Sequence, residues 1–265
     1  MKKTLKFIAG LLAVLLIAGV CYSANSFLGN PVSYLLANWA AEKYIETEFT
    51  DTDYEVERVA YSFKTGDYYA YLTSPTNIDG DFTLTIDYKG KVENDDYAWR
   101  VEERYNTESR LQGEYYTLVK EGLSDNFSYN VSAEFTFKFS EGLEKHEEAI
   151  LQKELELNKE YDIKELARKQ GHILLWTKVD DPSVETLAEI LLEVKRVADT
   201  NGVPFYSLEV SLFEIGENVS SLDVMQFLYD DIYEDGLVER IEREVEETQA
   251  YYEQKNQEKQ EELGG

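Results

Sequence analysis

The longest apolar run lies at the start of the chain. From Phe7 to Ala24 no residue is charged and almost none is polar. As a helix this run measures roughly 27 Å, near the thickness of a bilayer's hydrocarbon core. Lys2, Lys3 and Lys6 precede it and an acidic chain follows. The positive-inside rule then expects a cytoplasmic N-terminus with the remainder outside. Beyond the run the pattern breaks into short amphipathic segments. Asn30-Pro31 is a helix start with proline at the first helical position. Val32, Leu35, Leu36, Trp39 and Ala40 recur at helical spacing, so this stripe is expected to be buried. Three strands are predicted next: Tyr54 to Lys64, Asp67 to Ser74, and one opened by Asp79-Gly80. In the third, Phe82, Leu84, Ile86 and Tyr88 alternate with Thr83, Thr85 and Asp87. From Asn106 a helix carries Leu111, Tyr115, Leu118, Val119 and Leu123 on one face, which completes an α-β-β-β-α unit.

The second half is read in the same way. Tyr129 to Phe139 is the clearest strand, its odd positions apolar and its even ones polar. Glu141 to Asn158 fits only a broken helix. Asp162 caps a short helix carrying Ile163, Leu166 and Ala167, ended by Gly171. His172 to Val179 reads as a strand. Asp181-Pro182-Ser183 starts a helix with Val184, Leu187, Ile190, Leu191 and Val194 on its face, closed by Asn201-Gly202. Phe205 to Phe213 and Val224 to Tyr229 are further strands, with Tyr206, Leu208, Val210 and Leu212 expected to point one way. A last helix runs from about Ile232 into an acid-rich tail. The expected class is α+β: an N-terminal transmembrane helix, the α-β-β-β-α unit, then a mostly antiparallel sheet with helices on one face. The expected divisions are an anchor over 1–28, domains over 29–125 and 126–247 with a boundary near Ser124 to Asn126, and a tail over 248–265.

Several stretches carry a likeness as well as a pattern. "NPVSYLLANWAAEKYIE", "YEVERVAYSFKTGDYYAYLTSP" and "NTESRL" resemble the N-terminal part of the YfjL-like family, and "NKEYDIKEL" and "LYDDIYEDGLVERI" continue the resemblance. It covers most of the chain from Asn30 to about Glu247. The resemblance implies a membrane-anchored protein of Gram-positive bacteria with a two-part architecture. It implies no activity and no functional residue. Cys21 and the tail after Glu247 lie outside it.

Cys21, the only cysteine, excludes an intramolecular disulfide, a Cys-x-x-Cys pair and any multi-cysteine zinc site. It leaves three fates for the apolar run. Lipidation at Cys21 requires a small residue before it, where β-branched Val20 stands. Cleavage requires small residues one and three positions before the cut, and Ser23 and Cys21 supply these poorly. An uncleaved signal anchor fits best, with Tyr22 as an interfacial aromatic.

Charge changes the picture of partners. Acids number 53 against 26 bases, a net charge of −27; the first 25 residues hold three lysines and no acid, so the remainder carries −30. Such a surface repels nucleic acid, and no nucleic-acid partner is expected. No phosphate-cradling loop and no G-x-S-x-G elbow occurs. His146, within "EKHEEA", lacks the paired spacing of a metal helix and reads as a solvated residue. His172 at a strand start reads as a turn-bonding residue, because the sequence supplies it no serine or cysteine partner. Asp230, Asp231, Glu234 and Asp235 form the densest acid cluster, but "YDDIYEDG" does not match a calcium loop. Acids near a helix N-terminus, favoured by the dipole, account for it. Tyr69 and Tyr71 are expected to share a strand face beside Tyr68, as cover for a half-buried sheet or as a stacking platform. Sequons at Asn126, Asn130 and Asn218 matter only in a glycosylating host.

The function expected from the sequence is a membrane-anchored extracytoplasmic module of the cell envelope. It would be single-pass and non-enzymatic, binding an envelope protein, a peptide or a wall component. No catalytic, cofactor or metal residue is assigned. Two alternatives stay open: an envelope enzyme using a carboxylate pair, and a weak divalent-cation binder.

Overall fold

In the computed structural model, which describes residues 2–123, 129–137, 150–217, 219 and 221–264, the apolar run is helical. Helix α1 spans Lys2–Leu28, and its described side chains from Phe7 onward are exposed. By length and composition it opens the one described helical stretch apolar enough to cross a membrane. Gly29, with φ +77°, breaks the helix; a Cβ there would lie 2.8 Å from Tyr61 Cγ and 2.9 Å from the Tyr68 hydroxyl. Asn30 then caps α2 (Pro31–Glu48), its Oδ1 accepting from Val32 N–H at 2.8 Å.

The chain divides into two compact units, the first holding residues 1–107 and 156–158. Its sheet runs β1 (Glu55–Tyr61), β2 (Tyr68–Ser74), β3 (Asn77–Ile86) and β4 (Val92–Asp95), in that order and antiparallel throughout. The three predicted strands are present; β4, "VEND", is an addition. Four largely polar edge residues give no period-two signal, so only its pairing with β3 reveals it. Tyr68, Ala70 and Leu72 face the core with Phe82, Leu84 and Ile86. Phe82 sits among three rings, Phe49, Tyr54 and Tyr97, each with its centroid 5.1 Å away.

Helix α2 lies on this sheet with a face that shares only Ala40 with the expected stripe. Ser33, Ala37, Ala40 and Ala41 are buried, whereas Val32, Leu35 and Trp39 remain 64%, 67% and 59% exposed. Small side chains let the helix backbone approach the sheet closely, and the large apolar ones are turned outward.

The second unit holds residues 108–155 and 159–265. Its sheet order is β5 (Asn130–Phe135), β6 (Gly171–Val179), β7 (Ser207–Glu214), β8 (Leu222–Leu228). The β5–β6 and β7–β8 pairs are antiparallel and β6–β7 is parallel, the crossover being α5 (Val184–Asn201). The mostly antiparallel α+β architecture expected from the sequence is therefore present. Asp162 caps α4 (Ile163–Gln170) and Ser183 caps α5, while Gly202 ends α5 at φ +64°. Val131, Ala133, Phe135, Ile173, Leu175, Leu208, Val210 and Leu212 join α4, α5 and α6 (Leu237–Gly264) in one core. Thr248, which opens the expected tail, is buried and accepts from Met225 N–H through its hydroxyl at 3.3 Å. The expected boundary at Ser124 to Asn126, the first half of Glu141 to Asn158, Phe139, His146 and the sequons at Asn126 and Asn218 lie outside the described residues; the second half of Glu141 to Asn158, expected as part of a broken helix, holds one short 3-10 turn, Gln152–Glu154.

One element changes sides relative to expectation. Helix α3 (Tyr105–Leu123) was expected to complete the first domain, but Leu111, Tyr115, Val119 and Leu123 belong to the second core. Tyr115 stacks on Phe135 with centroids 4.6 Å apart, and its hydroxyl donates to Pro204 O at 3.2 Å. The periodicity located the buried face; it carries no information about which sheet that face meets.

Tyr129 ties β5 to α5, its hydroxyl donating to Glu193 Oε2 at 2.8 Å. Burial, then this bond to a carboxylate, push its pKa up to about 12. The folded state thus favours the neutral phenol. That stabilisation is complete below the unfolded value of 10.0 and disappears as pH rises through about 12. Urea midpoints of the second unit, followed through Trp176 emission, should fall over this alkaline window, and Tyr129→Phe should make the fall shallower.

Candidate functional site

A chemically mixed concavity of the second unit is built where the ends of four elements meet. Lys164 and Arg168, one turn apart on α4, form one wall, with Arg168 Nη1 donating to Lys164 O at 3.2 Å. Asp199, from the last turn of α5, and Asp230, just after β8, supply carboxylates. Between them run Gly202 to Tyr206 and Leu228, enclosing about 530 Å³. The left-handed turn at Gly202 redirects the chain from α5 toward β7 and places Phe205 and Tyr206 here. Tyr229 is held from three sides. Its hydroxyl donates to Asp199 Oδ1 at 2.8 Å, its ring meets Phe205 edge-on at 5.1 Å, and Lys195 Nζ lies 4.1 Å from its centroid. The bond to Asp199, then burial, raise the Tyr229 pKa.

A second cleft of about 230 Å³ shares Tyr206 and Leu228 with the first and is lined by Gln226, Asp231, Arg240, Arg243, Glu244 and Glu247. Together the two form a groove with cations and carboxylates along its sides and a half-buried tyrosine and leucine in its floor. Such a lining pairs with both charges of an extended peptide-like or zwitterionic ligand.

The predicted acid cluster borders this groove, and cationic side chains hold its backbone. Arg240 donates to Asp231 O, Asp235 O and Tyr233 O at 3.0, 2.7 and 2.6 Å, and lies 3.6 Å from the Tyr233 ring centroid. Lys195 donates to Tyr229 O and Ile232 O, both at 2.9 Å. The two side chains clamp the backbone of the loop between β8 and α6. Among the described residues no group of three histidine, cysteine or acidic side chains is arranged to hold a metal. Arg240→Ala removes three charge-assisted bonds and a stacked ring, and should lower the stability of the second unit by about 2 kcal/mol in urea titrations.

His172 has a partner that the sequence did not reveal. Parallel pairing sets it beside Ser207, with Nδ1 2.8 Å from Ser207 Oγ, and Nε2 stands 3.6 Å from Glu209 Oε2. The trio resembles a nucleophile–base–acid set in composition. Ser207, however, is fully buried and lines neither cleft, so its oxygen has no path to a substrate carbonyl. The bond ties β6 to β7.

Tyr69 and Tyr71 share the outer face of β2, as predicted, while Tyr68 faces the core. Arg58 lies 3.7 Å from the centroid of the Tyr71 ring and occupies that stacking surface. Asp81 and Glu108 are carboxylates with raised pKa values. Burial dominates in both, reinforced by Glu57 and Glu134 respectively, and neither lines the two clefts. In the first unit Asp53 accepts from Ser74 Oγ at 2.5 Å and Thr76 Oγ1 at 2.6 Å, which lower its pKa. The Cys21 side chain lies outside the described residues.

Residues 4–96 match the YfjL-like N-terminal domain and residues 114–242 match the YfjL-like C-terminal domain. The chain belongs to the YfjL-like family. No curated protein and no solved structure matches it. The two family domains agree with the division seen in the fold. The C-terminal domain begins inside α3, and the break after Thr107 falls between the matched segments. In this YfjL-like chain the whole Tyr206–Leu228 groove except Arg243, Glu244 and Glu247 lies within the C-terminal family domain.

Proposed function

We propose that this YfjL-like chain is a single-pass, membrane-anchored module of a Gram-positive cell envelope that binds a ligand without transforming it. The N-terminus is cytoplasmic and the two α+β units are extracytoplasmic, where the groove takes an envelope protein, a peptide or a wall component. The observation that carries this reading is the joining of an exposed apolar helix, preceded by lysines, to a separate unit with a mixed-charge groove. The lysines favour an inward N-terminus. The groove offers paired charges and a tyrosine, the chemistry of recognition.

The test has two parts, both on the full chain in its native membrane. Protease added to intact cells should remove both units while a cytoplasmic marker survives; protection of the units would reject the topology. A photo-reactive phenylalanine analogue at Tyr206 should then crosslink a discrete envelope component. The double variant Lys164→Glu, Arg168→Glu should cut the yield several-fold, since it reverses one wall of the groove. A crosslink indifferent to that reversal would reject the groove as the binding site.

A further inference from the structure

The outward face of α2 is the least expected surface of the first unit. Val32, Leu35, Leu36 and Trp39 lie on one side of the helix and are 39% to 67% exposed, opposite the alanines that meet the sheet. Isolated exposed apolar residues are ordinary, but four on adjoining turns form a patch that requires cover. From Phe7 to Ala41 the chain contains no charged residue, so the patch continues the anchor in composition. It also continues it in space. Only Gly29 and Asn30 separate α1 from α2, and this junction is fixed to the sheet. The Tyr61 hydroxyl donates to Ser26 O at 3.1 Å, Tyr68 both accepts from Asn30 N–H and donates to Asn30 O, and Phe27 meets Phe63 at 6.1 Å.

The rim has the chemistry of a lipid interface. Lys43 Nζ lies 5.2 Å from the Trp39 ring, one turn along the same face. The Gly90 turn abuts Leu36 and presents Tyr88, 60% exposed, with Lys89 Nζ 5.1 Å from its ring. Asp87 in that turn is engaged by the N–H groups of Lys89 and Lys91 at 2.8 Å. Tryptophan and tyrosine seat at headgroup depth, and lysines beside them reach lipid phosphates while their stems cover apolar surface. The first acid of α2, Glu42, stands beside Lys43 at the far end of the patch and accepts from Asn38 Nδ2 at 2.8 Å. Had α1 continued straight, Trp39 would stand roughly 16 Å past Leu28, beyond this zone. The break at Gly29 allows α2 to turn back toward it.

We infer that the outer face of α2, centred on Leu35 and Trp39, lies in the headgroup region of the same bilayer that holds α1, docking the first unit on the membrane surface. This rests on the anchor proposed above, and the test separates the two. The full chain carrying Trp99→Phe and Trp176→Phe leaves Trp39 as the sole tryptophan. It is reconstituted in phosphatidylcholine–phosphatidylglycerol vesicles, with and without acyl-chain-brominated lipid. A second chain has all three tryptophans replaced by phenylalanine and Val14→Trp as a probe of the span. Bromolipid should quench both probes, Trp39 by about twofold, and acrylamide should reach Trp39 poorly. Quenching of the Val14→Trp probe with a water-accessible Trp39 keeps the anchor and overturns the docking. Absence of bromolipid quenching at both probes overturns both. A Trp39 shielded from bromolipid and acrylamide alike means a second copy or a protein partner covers the face, which also overturns the inference. A spin label at Val32→Cys in a Cys21→Ser chain, all tryptophans intact, reads the same depth from oxygen against nickel-chelate accessibility, so the result does not depend on tolerance of the tryptophan replacements.

Discussion

Tyr115→Ala is expected to destabilise the second unit by about 3–5 kcal/mol, the loss typical of emptying a fully buried aromatic site. Three features place the effect at the upper end. The ring is fully buried and stacks on Phe135 at 4.6 Å. Its hydroxyl satisfies Pro204 O. The site is also shaped around it: Gly171 packs so closely on the ring that an added Cβ there would stand 2.6 Å from the Tyr115 hydroxyl. The measurement is urea unfolding of the full chain in detergent, read separately through Trp176 in the second unit and Trp99 in the first. The Trp176 transition should shift to lower urea and the Trp99 transition should stay. A shift seen only by Trp99 would return α3 to the first unit and contradict the division after Thr107.

The reciprocal substitution, Phe82→Ala, should cost the first unit about 3–5 kcal/mol by the same mechanism. Phe82 is 2% exposed, and Phe49, Tyr54 and Tyr97 surround it with centroids at 5.1 Å. These rings also touch one another: Phe49 lies 4.8 Å from Tyr97 and 5.2 Å from Tyr54. Removing the central ring forfeits several favourable aromatic pairs besides apolar area. The cavity would also hydrate the Tyr54 hydroxyl, whose pKa burial raises to about 12. The Trp99 transition should shift and the Tyr54 titration, followed by ultraviolet absorbance, should move back toward 10.0. An unmoved Trp99 transition would mean that this cluster does not hold the first core together.

The candidate site was legible only in fragments. Asp230 and Asp231 stood out as a cluster, and Tyr206 as one of an alternating set, but nothing local joined them to Lys164 and Arg168 more than sixty positions away on the acidic residues' N-terminal side. The groove forms because α4, α5, β7 and β8 end together, which is a property of sheet order. Arg240 and Lys195 are the clearest omissions. A lone cation on an amphipathic helix carries no mark that its donors will engage carbonyls of a distant loop. His172 is the converse case. Its place at a strand start was readable, whereas its burial and its serine required the β6–β7 register.

What the sequence by itself determined is whatever depends on neighbours a few residues apart. The apolar length of α1, the caps at Asn30, Asp162 and Ser183, the left-handed stop at Gly202 and the alternation of β2, β3 and β5 all follow from local sterics and local hydrogen bonding. The tertiary structure decided which partner each apolar face meets. Helix α3 has one buried stripe that either sheet would accept on pattern alone, and it joined the second because Tyr115 fits between Phe135, Pro204 and Gly171. Helix α2 has two apolar faces, and the alanine face packed inward because a sheet at short range admits small side chains, which left Leu35 and Trp39 outside. Hydrophobicity is non-directional: it requires that apolar surface be covered, and only shape complementarity across the fold selects by what.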